Sequence, residues 1–171
     1  MDDIVKQAMA KWPNVPNCYG WLGLDERGDW YMRDDRVQAL SSFQEACLRG
    51  DKASKGSRLM HEKLIAFIGR NYASEIDAQG QEQWFFQNGP QRVYVELADT
   101  PYIWRLNWVN ADGKSCIEVR SHTDQITRYK SCTLSESGRV YLRTELGYGL
   151  VHTQDVHIAA EAIEQGLWII S

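Results

Sequence analysis

Apolar and polar side chains alternate from residue 83 to residue 145, and this period of two constrains the fold more than any other feature of the chain. Successive side chains of an extended strand point to opposite faces, so alternation marks a strand with one face buried and one in solvent. Val93, Val95 and Leu97 fall on one face of their segment, and Arg92, Tyr94 and Glu96 on the other. Trp104, Leu106 and Trp108 alternate with Arg105 and Asn107 in the same way. Ile117 and Val119 alternate with Glu118 and Arg120, and Val140 and Leu142 with Tyr141, Arg143 and Glu145. Short turn sequences divide these runs: Asn88-Gly89 ahead of Pro90, Asn110-Ala-Asp-Gly113 and Ser135-Glu-Ser-Gly138. Strands joined by such turns pair antiparallel, because a parallel neighbour needs a crossover of a dozen or more residues. The expected fold class is therefore α+β: an antiparallel meander sheet of about five to seven strands, with helices packed on one face.

The rest of the chain supplies the helices. Ile4, Ala8 and Trp12 share a face and predict a helix over residues 2–12, ended by Pro13 and Pro16. Two β-prone runs flank Asp25-Glu-Arg-Gly28, which predicts a hairpin. Val37, Leu40, Phe43 and Cys47 predict one helix that Gly50 stops, and residues 49–58 read as a loop. Ser57 reads as the cap of a helix running to about Tyr72, striped by Met60, Leu64 and Ile68. A last helix is expected over about Gln154–Gln165. The 171 residues suit a single domain. Leu24–Arg33 echoes Leu134–Arg143, so two related hairpin–helix–strand halves, about 17–97 and 126–171, are an alternative organisation.

Charge and composition narrow the partners. A net charge of −4 repels a phosphate polymer, so nucleic acid is not an expected partner. No apolar run approaches the roughly 20 residues that span a bilayer, so no membrane partner is expected either. Met1-Asp2-Asp3-Ile4 lacks the basic start and apolar run of a secretory signal, which points to the cytoplasm. Four cysteines without a C-x-x-C spacing read as thiols in a reducing compartment. Seven tryptophans, mostly at strand spacing, read as core residues, several of which could instead line a groove.

Motifs with a chemical mechanism are sparse. His61-Glu62 would open a zinc-protease motif, but Ile65 stands where the second histidine belongs. His152, Asp155 and His157 are metal-ligand types without the i, i+4 spacing of a helical site, so no metal is expected and Asp155 reads as a helix cap. No phosphate loop, dinucleotide turn or nucleophile elbow occurs, so no cofactor is expected. The catalytic candidates are His61, Glu62, His152 and Asp155. The outward strand face carries Arg92, Tyr94, Arg105, Tyr141 and Arg143. Its plain reading is a solvated face laced with ion pairs. Its functional reading is a surface whose guanidinium forks grip a carboxylate or phosphate. Lys55, Ser57 and Arg58 precede the expected middle helix, whose N-terminus would attract an anion.

Lys55–Tyr72, Trp84–Leu97 and Tyr19–Leu24 together resemble a family of small uncharacterised proteobacterial proteins. That resemblance implies a bacterial cytosolic protein, brings no activity with it, and makes Gln87-Asn-Gly-Pro-Gln-Arg92 the first place to look for a site. The leading functional expectation is a non-catalytic binding or regulatory module for a small anionic ligand or a protein segment. The alternative is a small enzyme with His61 or His152 as acid/base. A third reading assigns the aromatic residues to a homodimer interface.

Overall fold

The alternating segments become strands, and a computed structural model describing residues 1–171 arranges twelve strands in two six-stranded sheets. The chain divides into two units: Met1–Asp25 with Asp29–Asp99, and Glu26–Gly28 with Thr100–Ser171. The first contains α1 (Asp3–Lys11), β1 (Cys18–Leu24), β2 (Trp30–Met32), α2 (Asp35–Leu40), α3 (Phe43–Arg49) and α4 (Lys52–Lys55). It continues with β3 (Ser57–Arg58), α5 (Glu62–Arg70), β4 (Tyr72–Ile76), β5 (Glu82–Asn88) and β6 (Gln91–Leu97). The second contains β7 (Tyr102–Ala111), β8 (Lys114–Ser121), β9 (Ile126–Thr127), β10 (Tyr129–Leu134), β11 (Val140–Thr144), β12 (Tyr148–Val151) and α6 (Val156–Glu164).

Each sheet is two antiparallel meanders joined by one parallel pair. In the first unit the order is β3-β2-β1-β6-β5-β4, and β1 and β6 run parallel with Leu22 opposite Val95. In the second the order, from one edge, is β9-β8-β7-β12-β11-β10, and β7 and β12 run parallel with Ile103 opposite Leu150. In both, the first strand of the first meander lies beside the last strand of the second. The α+β class therefore holds, but the single antiparallel meander becomes two mixed sheets. The short turns do make antiparallel neighbours. In the second unit the intervening strands alone supply the crossover that a parallel pair requires, whereas in the first the crossover also includes α2–α5.

The two units differ in how their sheet edges are joined. Only Arg128 separates β9 from β10, which lie at opposite edges of one sheet. Residues two positions apart stand at most about 7 Å from one another, so this sheet curls until its edges meet. In the first unit the corresponding strands, β3 and β4, are separated by α5. That helix packs Ile68 into a core of Leu22, Leu24, Trp30, Phe86, Val93 and Val95. On the opposite sheet face Phe43 of α3 packs over Gly23, where an added Cβ would lie 2.8 Å from the ring. Helices thus cover both faces of the first sheet rather than one, because Gly23 and Leu22 are neighbours on a pleated strand and point to opposite sides.

Local capping explains the helix boundaries. The helix expected through Val37–Cys47 is two helices, because the Ser42 hydroxyl accepts the Glu45 N–H at 3.2 Å and starts α3 afresh. The expected loop at 49–58 contains α4, whose first turn is capped by Asp51. The middle helix is shorter than expected. Ser57 lies in β3, His61 takes the capping role, and Tyr72 already belongs to β4. The buried Arg33 secures this segment, its Nη2 donating to the carbonyl oxygens of Ser41 at 2.7 Å and Ser54 at 3.0 Å.

The core of the second unit is built around Trp104, which is fully buried and donates its indole N–H to the Leu142 carbonyl at 3.3 Å. Gly149 passes so close that an added Cβ would stand 2.5 Å from the indole nitrogen and 2.5 Å from the Tyr102 carbonyl oxygen. A methyl group there displaces backbone as well as a packed ring. Gly149→Ala is expected to destabilise the protein by about 1–3 kcal/mol in urea unfolding. Gly138, with a φ of +82° and open space around it, should lose less when replaced by Ala, about 1 kcal/mol, because only the left-handed backbone is strained there. Equal losses at the two positions would contradict this packing.

Candidate functional site

The end of α1 and the β5–β6 hairpin enclose a cavity in the first unit. Asp2 fixes the start of the helix: its N–H donates to Asn71 Oδ1 at 2.8 Å, and its carboxylate accepts from Arg70 Nε at 3.2 Å. Val5 buries the helix face. The last turn then delivers Trp12 and Pro13 to the hairpin. The segment leading into β1 is held there by Gln91 Nε2, which donates to the Pro16 carbonyl at 3.3 Å. The hairpin is the one expected from Asn88-Gly89. Asn88 pairs with Gln91, and Pro90 occupies the turn, where its missing N–H is not needed. The resulting cavity measures about 280 Å³, and Trp12, Pro13, Asn17, Gln87, Pro90 and Arg92 are among its walls.

Gln87 and Arg92 are directly opposed across the hairpin and so share a sheet face. Gln87 is 2% exposed; its Nε2 donates to the Gly89 carbonyl at 3.1 Å, and its buried Oε1 has no hydrogen-bond partner. The Arg92 guanidinium lies 3.9 Å over the Phe85 ring, and its Nη1 meets Glu75 at 2.5 Å. The Tyr94 hydroxyl donates to the other oxygen of Glu75, and Tyr19 stacks on Tyr94 at 4.7 Å. Hydrogen bonds from Tyr94 and then Arg92 hold the Glu75 carboxyl below its ordinary range. Burial, and then the Glu75 acceptor, push the Tyr94 phenol up. Arg92 and Tyr94, both singled out from sequence, therefore converge on Glu75.

The neighbouring pair Phe86 and Val93 points to the opposite sheet face, toward α5. A second cavity of about 330 Å³ opens there, with Cys18, Trp21, Met32 and Leu64 among its walls. No charged side chain lines it, and burial pushes the Cys18 thiol up.

The other sequence-derived candidates lie elsewhere. Lys55 pairs with the buried Asp25 at 3.1 Å and lies 4.4 Å over the Tyr31 ring. Ser57 and Arg58 form β3 instead of opening a helix, and Arg58 approaches Asp29 at 3.9 Å. Arg105 clamps Asp155 through Nε at 2.6 Å and Nη2 at 3.2 Å. Asp155 also accepts the Leu106 N–H at 3.0 Å and makes no side-chain cap for α6. Burial would raise the Asp155 carboxyl, but the Arg105 and Leu106 hydrogen bonds outweigh it and hold the group low. Arg143 lies 4.9 Å over Tyr148, which stacks with Tyr141 at 5.6 Å. The registers place Arg105 four residues along and two strands across from Arg143. That is a separation of roughly 16 Å, too wide for one small carboxylate. His61 Nδ1 accepts the Leu64 N–H at 3.3 Å, and the exposed Glu62 follows it in the first turn. His152 is buried, accepts the Gln154 N–H at 3.1 Å, and shares the turn before α6 with Asp155.

Asn17, Trp12 and His122 were not legible as site or charge-sensitive residues. His122 Nδ1 accepts the Ile103 N–H at 3.2 Å, and burial pushes the imidazole down to about 3. The folded protein thus keeps this ring neutral, whereas an unfolded histidine takes up a proton near pH 6.5. Its contribution is complete above pH 6.5 and is lost as pH falls from 6.5 toward 3, by up to about 1.4 kcal/mol per pH unit. His122→Asn, which keeps a short polar side chain but does not titrate, should flatten the decline in stability between pH 6.5 and 4.5. Parallel pH profiles for the two proteins in urea unfolding would refute the assignment.

A search among curated proteins found no match. Among solved structures, the chain is similar to the crystal structure of a DUF1285 family protein from Silicibacter pomeroyi DSS-3. The two share 10% identity with a TM-score of 0.52, over 94% of this chain and 84% of that one. At this identity the likeness concerns the fold alone. The model of a family, DUF2944, described as "Protein of unknown function (DUF2946)" matches residues 1–168, and the chain belongs to that family.

Proposed function

We propose that the first unit is a non-catalytic binding module whose small anionic ligand sits between the end of α1 and the β5–β6 hairpin. One observation carries this reading: Arg92 lines a single cavity together with Asn17, Gln87 and Trp12. Guanidinium groups bind carboxylate and phosphate through several parallel N–H donors. Glu75 occupies one corner of a five-donor fork, and Phe85 supports its plane, so the group is already oriented before any ligand arrives. A volume of about 280 Å³ is near the lower end of small-molecule sites, which favours a ligand of few atoms over a protein segment. The groups considered as acid or base have structural partners instead. His61 and His152 cap turns, and Asp155 holds Arg105.

We place the protein in the cytosol of a proteobacterium. The resemblance of Lys55–Tyr72, Trp84–Leu97 and Tyr19–Leu24 to small proteobacterial proteins supports that origin, and the four cysteines are unbridged thiols, as a reducing compartment keeps them. No helix is long and apolar enough to cross a membrane.

Titration with acetate and with inorganic phosphate, followed by ¹H–¹⁵N NMR, tests the site. Saturable shifts should concentrate on Trp12, Asn17, Gln87 and Arg92. Arg92→Gln should weaken binding about tenfold or more, the scale of one lost charge-assisted contact. Shifts absent for both anions, or undiminished in the variant, would remove the proposal.

A further inference from the structure

The cavity on the α5 side of the first sheet is walled by one continuous sheet face and one turn of helix. Phe86 opposes Val93, Cys18 lies beside Val93 in the parallel register, and Met32 opposes Leu22. Directly opposed residues share a sheet face, and Leu22, Phe86 and Val93 are buried on this one against Ile68 of α5. Leu64 precedes Ile68 by one helical turn and so lies on the same side of the helix. All of these residues are among the walls. The floor is closed and the rim is open: Leu22 and Ile68 are each 2% exposed, whereas Met32 is 42% and Leu64 40% exposed.

We infer that this cavity binds a small uncharged molecule with a hydrocarbon body, of the class of a medium-chain fatty alcohol or amide. No charged residue is among the walls, so an ion entering it would lose hydration and gain no counter-charge. Water is a poor occupant as well, because walls of leucine, isoleucine, valine, phenylalanine and methionine offer it no hydrogen-bond partners. The volume of about 330 Å³ takes about ten non-hydrogen atoms at roughly 30 Å³ each, which is a small molecule and not a protein segment. Two residues beyond the Phe86–Val93 pair, Asn88 opposes Gln91, and both are wall residues. Their neutral amides suit a hydroxyl or amide head group at the turn end of the cavity. This site does not depend on the anion site, because Gln87 and Arg92 alternate with these pairs and face the other side of the sheet.

Octanol and octanoate share a chain length and differ in charge, so they provide the direct comparison. In ¹H–¹⁵N NMR titrations of the full chain, octanol should give saturable shifts at Leu22, Leu64, Phe86 and Val93. At the same residues octanoate should bind about tenfold or more weakly. Leu64→Trp, a change at the half-exposed rim, should fill the opening and weaken octanol binding about tenfold or more. Met32→Lys supplies the missing cation at the rim and should reverse the order, with octanoate binding more tightly than octanol. Arg92→Gln should leave octanol binding unchanged, which separates failure here from failure of the anion site. No saturable shifts with octanol, or octanoate binding as tightly, would overturn the inference. Shifts at these residues on simple dilution would also overturn it, by making this face an interface between copies of the chain. Octanol binding undiminished in Leu64→Trp, or an order unchanged in Met32→Lys, would refute this cavity as the place of binding. Should either variant fail to fold, the octanol–octanoate comparison on the native chain decides alone.

Discussion

The parallel pairing of a first strand with a last strand organises each unit. β1 alone could pair with β2 and stop, leaving an open meander with a bare edge. Pairing it also with β6 brings Leu22 beside Val95 and gives Ile68, Phe86 and Val93 a common core. The pairing joins segments about seventy residues apart, but loop-closure entropy grows only logarithmically with length. Apolar burial along the new interface offsets it. Once β6 is fixed on β1, β5 and the hairpin turn follow, and Gln87 and Arg92 come to lie on the face that α1 reaches.

The same strand order produces a shut sheet in one unit and an open one in the other. Arg128 alone links the two edges of the second sheet, and its interior is filled by Trp104, Leu106, Val119 and Leu142. In the first unit α5 separates the equivalent strands, and the space between helix and sheet is only partly filled, leaving the apolar cavity beside Cys18 and Met32. Opposite it, across the same two strands, lies the more polar cavity of Gln87 and Arg92. Both openings adjoin β5 and β6 because adjacent residues of a strand face opposite ways.

What could be read from the sequence was what is local. The Asn88-Gly89 hairpin, the alternation around Val93 and Trp104, and the glycine turns depend on residues a few positions apart, and they form where expected. Ser42-x-x-Glu45 is a local helix start, but it is masked by the helical spacing that Val37, Leu40, Phe43 and Cys47 keep across it. The parallel pairs were not readable, since nothing local distinguishes a strand with one neighbour from a strand with two. The two similar hairpins also occupy different meanders: Leu24–Arg33 spans β1 and β2, whereas Leu134–Arg143 spans β10 and β11. At the site, alternation placed Arg92 and Tyr94 outward, and the resemblance directed attention to Gln87–Arg92. It could not show that Gln87 is buried, because α1, which covers it, lies some seventy residues away in sequence. Nor could it show that Arg105 and Arg143, alike in pattern, are held apart by register.

The pairing that closes each unit can be observed directly. In a NOESY spectrum of the isotopically labelled protein, parallel strands show evenly spaced amide-to-Hα contacts and lack the close Hα–Hα pairs of antiparallel neighbours. The parallel pattern is expected between Leu22 and Val95 and between Ile103 and Leu150. Close Hα–Hα contacts at either place, or no contact between those strands, would contradict it.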